Sequence, residues 1–304
     1  MSFIHIQGRR NVCMQVVLEN DQLRVAINYF GAELASMVKK ETGEEYIWNA
    51  DEKFWKRSAP VLFPFVGSLK NKEYKYDGKV YPMGQHGFAR DMEFALVFQT
   101  EDEVWFSLTA DEQTYEKYPF TFTLEIGYKL VGNELQVIWN VSNEDDKKMY
   151  FSIGGHPAFM CPLGGRGKQT DYYIAFDSDK DLTYSKINEN GLVYKKDNVL
   201  ATNGGMMKID EHLFDEDALV IEGDQVHEIS LCDPEQKPYV TVTCDQPLFG
   251  LWSPAKKNAP FVCIEPWSGR CDAEEFEGTL EEREYGHELD VNESFVMAYT
   301  IVVA

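Results

Sequence analysis

The sequence predicts an all-β fold, a large sandwich or barrel of mostly antiparallel strands. Apolar residues recur with period two along most of the chain, helical patterns are sparse, and turn residues punctuate the runs. The clearest case is Phe122, Leu124, Ile126, Tyr128 and Leu130, which alternate with Thr121, Thr123, Glu125, Gly127 and Lys129. That is the pattern of a strand buried on one face. VGNE follows, with Gly132 and Asn133 supplying a tight turn. Leu135, Val137, Trp139 and Val141 then alternate up to SNEDD, so the two runs form a hairpin. KKMYFSIGG reads as a third strand that leads directly to His156.

Further strands are expected at MQVVLEN, LRVAINY, VWFSLTA, YYIAFD, ALVIEG, EISLCD, YVTVTC, FVCIEPW and SFVMAYTIVVA. Helix is expected only as a turn or two near Asp51–Lys56 and Asp111–Lys117. No linker rich in Pro, Gly or Ser divides the chain and no period repeats, so residues 1–304 are expected to form one domain.

The composition narrows the partners. The chain of 304 residues is 44% apolar and 26% charged, with a formal net charge of −22. Nucleic acid and anionic membrane both require a basic patch, so neither is an expected partner. No apolar run approaches the length that spans a bilayer. The N-terminal MSFIHIQGRRNVCMQ has two arginines but no apolar stretch behind them, and is not expected to be a secretory signal. The six cysteines, Cys13, Cys161, Cys232, Cys244, Cys263 and Cys271, show no CxxC spacing. They read as reduced thiols of a cytoplasmic protein.

Four stretches break the strand pattern with polar residues among aromatics. In WKRSAPVLFPFVGSLKN, Arg57 precedes a segment held by Pro60 and Pro64. In PMGQHGFARDMEF, His86 lies between Gly84 and Gly87, with Arg90 four residues on. In SIGGHPAF, His156 follows two glycines and precedes Pro157. In FVCIEPWSGR, Glu265 is expected to end an apolar strand, because Pro266 removes a backbone donor. A carboxylate there is costly unless it is paired or used. Trp267 beside it offers a flat face of the kind on which sugar C–H surfaces stack. Each stretch alone reads as readily as structure: a turn histidine, an ion-paired arginine, an ion-paired glutamate.

Together they point to proton transfer. Neither HxH nor HxxxH is present, and no cysteine reads as close enough to complete a zinc site, so no metal is expected. GxSxG, a P-loop and GxGxxG are absent too, so neither covalent catalysis nor a cofactor is expected. Histidines, a carboxylate and an arginine suit general acid–base work.

GGHPAF, the HGFAR loop, RSAPVLFPFVG and the late IEPWSG resemble the aldose 1-epimerase (mutarotase) family, and within it the LacX-type bacterial branch. The resemblance runs along nearly the whole chain. It implies a β-supersandwich of galactose-mutarotase type. It implies Glu265 as base and His156 as acid, with His86 as a second active-site histidine and Arg57 on sugar hydroxyls. It also implies an aspartate in the pocket; LFDEDALVIEG offers Asp215 and Asp217, with Asp217 preferred because it abuts ALVI. Two glycines before His156 are then expected to let the backbone leave the sheet and approach a sugar closely.

The implied reaction interconverts the α and β anomers of a hexose without a cofactor, in a monomer or weak homodimer. A hexose-6-phosphate 1-epimerase needs added positive charge, for which Lys70, Lys72 and Arg90 are candidates. A non-catalytic sugar-binding protein and a glycosidase with paired carboxylates are readings of other classes.

Overall fold

The computed structural model describes residues 14–304. The expectation about a leader peptide and the reading of Cys13 lie outside the described residues.

The chain is built almost wholly of strands, as the period-two patterning requires. The expected hairpin pairs Phe122–Val131 with Glu134–Asn143 in register, Ile126 opposite Trp139, and closes Val131 onto Glu134 across Gly132 and Asn133. Gly132 has φ +61°, a left-handed turn conformation that suits glycine. These strands sit inside a nine-stranded sheet, where Glu134–Asn143 also pairs with the C-terminal strand Ser294–Val303. An eight-stranded sheet carries Phe261–Ser268, Leu248–Trp252, Leu219–Ile221 and the short strands Ile153–Gly155, Val61–Leu62 and Ala158–Met160. KKMYFSIGG is split between sheets. Met149–Phe151 pairs with His287–Leu289, whereas Ile153–Gly155 pairs with Phe261–Ser268 and Val61–Leu62.

Among the described residues helix is nearly absent. Glu112–Lys117 is the expected helical turn, capped by Asp111, which accepts from the Thr114 amide at 2.8 Å. Asp51–Lys56 is a turn and not a helix; the Phe54 and Trp55 amides both donate to the Asp51 carbonyl.

Two local expectations are corrected. Glu265 does not end its strand. Phe261–Ser268 runs on through Pro266, with Gly250 opposite Glu265 and Phe249 opposite Pro266. The proline is tolerated because of where its missing N–H would point. The Ile264 amide donates to the Pro157 carbonyl, and two residues on Pro266 faces that same side. There the neighbouring chain is crossing from Ala158–Met160, paired as far as Cys263, to Ile153–Gly155, paired from Trp267, so no donor is needed.

The second correction concerns Gly154 and Gly155. Both lie within a strand. They are required for room rather than for an exit from the sheet. A Cβ on Gly154 would stand 2.8 Å from Trp267 Cδ1 on one face. On the other face a Cβ on Gly155 would stand 3.1 Å from the Tyr299 hydroxyl and 3.2 Å from Trp139, side chains of the nine-stranded sheet. The glycine pair thus lets the two large sheets approach at the strand that delivers His156.

Candidate active site

The site is built on one face of Phe261–Ser268. Alternation puts Cys263, Glu265 and Trp267 on that face, with Trp252, Gly250 and Leu248 opposite them on the neighbouring strand. Gly250 is small for a steric reason: a Cβ there would lie 2.5 Å from the Trp267 ring. Trp267 is buried over Gly250 and Gly154, with its ring beside Glu265 at the floor of a cleft of about 1200 Å³.

His156 reaches the same point from the following loop. Its Nε2 lies 3.3 Å from Glu265 Oε2. Both side chains are buried, Glu265 being 1% and His156 7% exposed. Trp55 stacks on the His156 ring at 4.7 Å and 28°, and Trp252 meets it edge-on at 5.3 Å. Trp55 is in turn held by the Trp48 indole, which donates to its carbonyl at 2.9 Å. Neither Glu265 oxygen nor His156 Nδ1 has an aligned hydrogen-bond partner in the protein.

Burial sets the protonation of the pair. It pushes the Glu265 carboxyl well above the usual carboxylate range, helped by the nearby Asp217 charge and opposed by the Trp267 indole. It pulls His156 down to about 3, with the Arg90 charge acting in the same direction. The favoured state is neutral overall, with the proton on Glu265 and the imidazole free. With that proton on His156 instead, the pair would be a carboxylate and an imidazolium 3.3 Å apart.

His86 completes the polar floor. Its φ is +66°, and a Cβ on Gly87 behind it would clash with the Phe63 carbonyl at 2.2 Å, so the loop packs tightly. Nδ1 accepts from the Gly67 amide at 3.0 Å, which places the ring proton on Nε2 as a donor. Burial holds this imidazole well below its ordinary pKa, so it stays neutral. Its ring lies 5.7 Å from that of His156.

Arg57 lines the cleft and bonds Asp91 at 2.7 Å. Arg90 lines it too; its Nη2 donates to the Gln85 carbonyl at 2.7 Å and its Nε stands 3.8 Å from Asp91. Behind them the buried Glu33 accepts from the Ser58 and Ala59 amides at 2.7 and 2.9 Å. Glu33 thereby fixes the start of the segment that carries Arg57. Burial raises its pKa, and the charges of Arg57 and Arg90 oppose that rise. Lys70 is tied to Glu277 on the surface, and neither Lys70 nor Lys72 lines the cleft.

Asp215 and Asp217 both line the cleft. Asp215 is engaged by His212 at 2.9 Å. Asp217 has φ +71° and takes the Ala218 amide at 2.9 Å. Burial raises its pKa, and its charge is felt by Glu265. Of the two aspartates, Asp217 is thus the one whose charge reaches Glu265.

Sequence reasoning missed Trp55, Trp252, Glu33 and the full part played by Arg90. Trp252 was legible in principle as the last residue of LFGLW, a short apolar run next to FVCIEPW. The reading that no cysteine approaches a possible metal site is corrected. Cys263 lies two residues before Glu265 on the same strand face, within 4.8 Å of the ligand atoms of both His156 and Glu265.

A strand-rich sandwich with a buried histidine–glutamate pair at the floor of an open cleft suits proton-transfer chemistry on a small molecule, and similarity to known proteins supplies the class. The aldose 1-epimerase family profile matches residues 14–275, and the chain belongs to that family. It is thus an isomerase of the epimerase class with a mutarotase-type role, and its fold is the galactose-mutarotase β-supersandwich. Among curated relatives, protein LacX of Lactococcus lactis subsp. lactis is 33% identical over 279 residues, 89% of this chain and 93% of LacX. A galactose mutarotase related enzyme from Lactobacillus acidophilus superposes with a TM-score of 0.90 at 33% identity, covering 96% of this chain and 97% of that one. A galactose mutarotase-like protein from Lactobacillus casei ATCC 334 also gives 0.90, at 29% identity and 96% and 100% coverage.

Proposed function

We propose that the protein interconverts the α and β anomers of a neutral hexose such as galactose or glucose. The observation that carries this reading is the 3.3 Å approach of His156 Nε2 to Glu265 Oε2, buried at the floor of the cleft. Glu265, as carboxylate, takes the proton of the C1 hydroxyl. His156, as imidazolium, protonates the ring oxygen, and the C1–O5 bond opens to the free aldehyde. Rotation about C1–C2 presents the other carbonyl face, and the same two groups act in reverse. Proton count is conserved, since the pair holds one proton before and after. Each positioned acid or base contributes about 10²–10⁴-fold.

His86 Nε2–H and the Arg57 guanidinium are the donors for ring and hydroxyl oxygens. Asp217 accepts from a hydroxyl. The Trp267 ring, wedged over two glycines, forms an apolar floor and limits how the sugar seats. Among the described residues five buried cysteines are free thiols, which supports a cytoplasmic setting.

Arg90 beside Arg57 favours a second reading, a hexose 6-phosphate as substrate. Against it, Asp91 and Glu33 already face the two arginines, and carboxylates outnumber cations among the residues lining the cleft. Polarimetry with glucose, galactose and their 6-phosphates at low and high salt separates the two. We expect the neutral sugars to have the higher kcat/KM. A preference for the phosphates that weakens as salt rises would establish the second reading instead.

A further inference from the structure

We propose that His156, Cys263 and Glu265 form an inhibitory site for a thiophilic divalent cation such as Zn²⁺. Among the described residues these three buried side chains are the group whose ligand atoms meet, all within 4.8 Å of one another. They supply one nitrogen, one sulfur and one carboxylate oxygen, a set that suits zinc and selects against magnesium or calcium. Three protein ligands leave a fourth position, and the cleft provides it to water or a sugar hydroxyl.

A further observation points to a ligand here. Both Glu265 oxygens, one of them 3.3 Å from His156 Nε2, are buried without aligned partners. By contrast, the buried arginines Arg270 and Arg283 elsewhere are already paired with Glu222 and Asp272. With the three atoms within 4.8 Å of one another, gathering them at about 2.0–2.3 Å from a metal moves each inward by less than about 1 Å.

Binding releases the proton shared by Glu265 and His156 and the proton of the Cys263 thiol, so the site tightens as pH rises. The bound cation holds both groups assigned above as acid and base, so inhibition rests on that assignment, whereas binding does not.

The test is to titrate the full chain with Co²⁺ and record the thiolate-to-cobalt charge-transfer band. One equivalent should bind, Zn²⁺ should displace it, and C263S should lose the band while keeping the wild-type circular dichroism. C263A serves if the serine hydroxyl disturbs the core. In polarimetric assays corrected for spontaneous mutarotation, Zn²⁺ should inhibit and EDTA should restore the rate. The Zn²⁺ inhibition constant should rise at least about tenfold in the Cys263 variant. No thiolate band, or a band that survives in the Cys263 variants, overturns the site even in an active enzyme. A band in a protein that anomerises no sugar keeps the site and overturns only the catalytic assignment.

Discussion

Glu265 is held in a position that favours its protonated form, and this has a measurable consequence for stability. Its carboxyl titrates higher in the folded protein than in the unfolded chain, where it behaves as an ordinary carboxylate near pH 4.5. Between those two values the folded state binds more protons than the unfolded state, so Glu265 lowers stability progressively as pH rises through that window. Glutamine has nearly the same shape and carries no charge. E265Q is therefore expected to melt close to the wild type at pH 4, and above it at pH 8. His156 acts in the opposite sense. Its folded pKa of about 3 lies below the ordinary 6.5, so it weakens the fold as pH falls from about 6.5 towards 3. Melting curves of wild type and E265Q from pH 4 to 9 check this; a gap that fails to widen with pH would mean that Glu265 is not desolvated.

At the scale of elements, the strand Phe261–Ser268 and its neighbours are fitted around one indole. Trp267 fills the space that Gly250 and Gly154 leave open. G250A should cost about 1–3 kcal/mol through overpacking, because its new methyl would stand 2.5 Å from the ring. In a W267L background the same change should cost less, since the clashing ring is gone; equal costs in both backgrounds, measured by denaturant unfolding, would show that the two residues do not compete for space. This fit explains what was and was not legible beforehand. Strand after strand was readable, because period two survives wherever one face is buried, as in Phe122–Val131. His156, Glu265, His86 and Arg57 stood out because they interrupt that pattern. Glu265 as a mid-strand residue was not readable, since the rule that proline ends a strand ignores where the neighbouring chain departs. The glycines before His156 suggested backbone freedom, yet their cause is the space taken by Trp267 on one face and by Tyr299 and Trp139 on the other. Cys263 looked like an ordinary core residue, and only the course of its strand, which carries Glu265 two residues on, puts it at the site.

At the scale of the whole molecule, the acidic balance and the cleft bear on one another. A formal charge of −22 disfavours an anionic substrate over long range, and Asp91 and Glu33 offset the arginines at short range. The fold then contributes rigidity. Glu265 is held by a strand, His156 by the strand before it and by Trp55, and His86 by a loop bonded to Gly67. Such fixed placement suits the proposed action of two weak acid–base groups on one sugar ring. Among the described residues no helix is long and apolar enough to cross a membrane. The central claim is that Glu265 and His156 together open and close a hexose ring. Its most direct test is polarimetric anomerisation of α-D-glucose or α-D-galactose by wild type and E265Q. E265Q should keep the fold, lose at least about 10²-fold in kcat and change less in KM. A folded E265Q with near-normal kcat would contradict the claim.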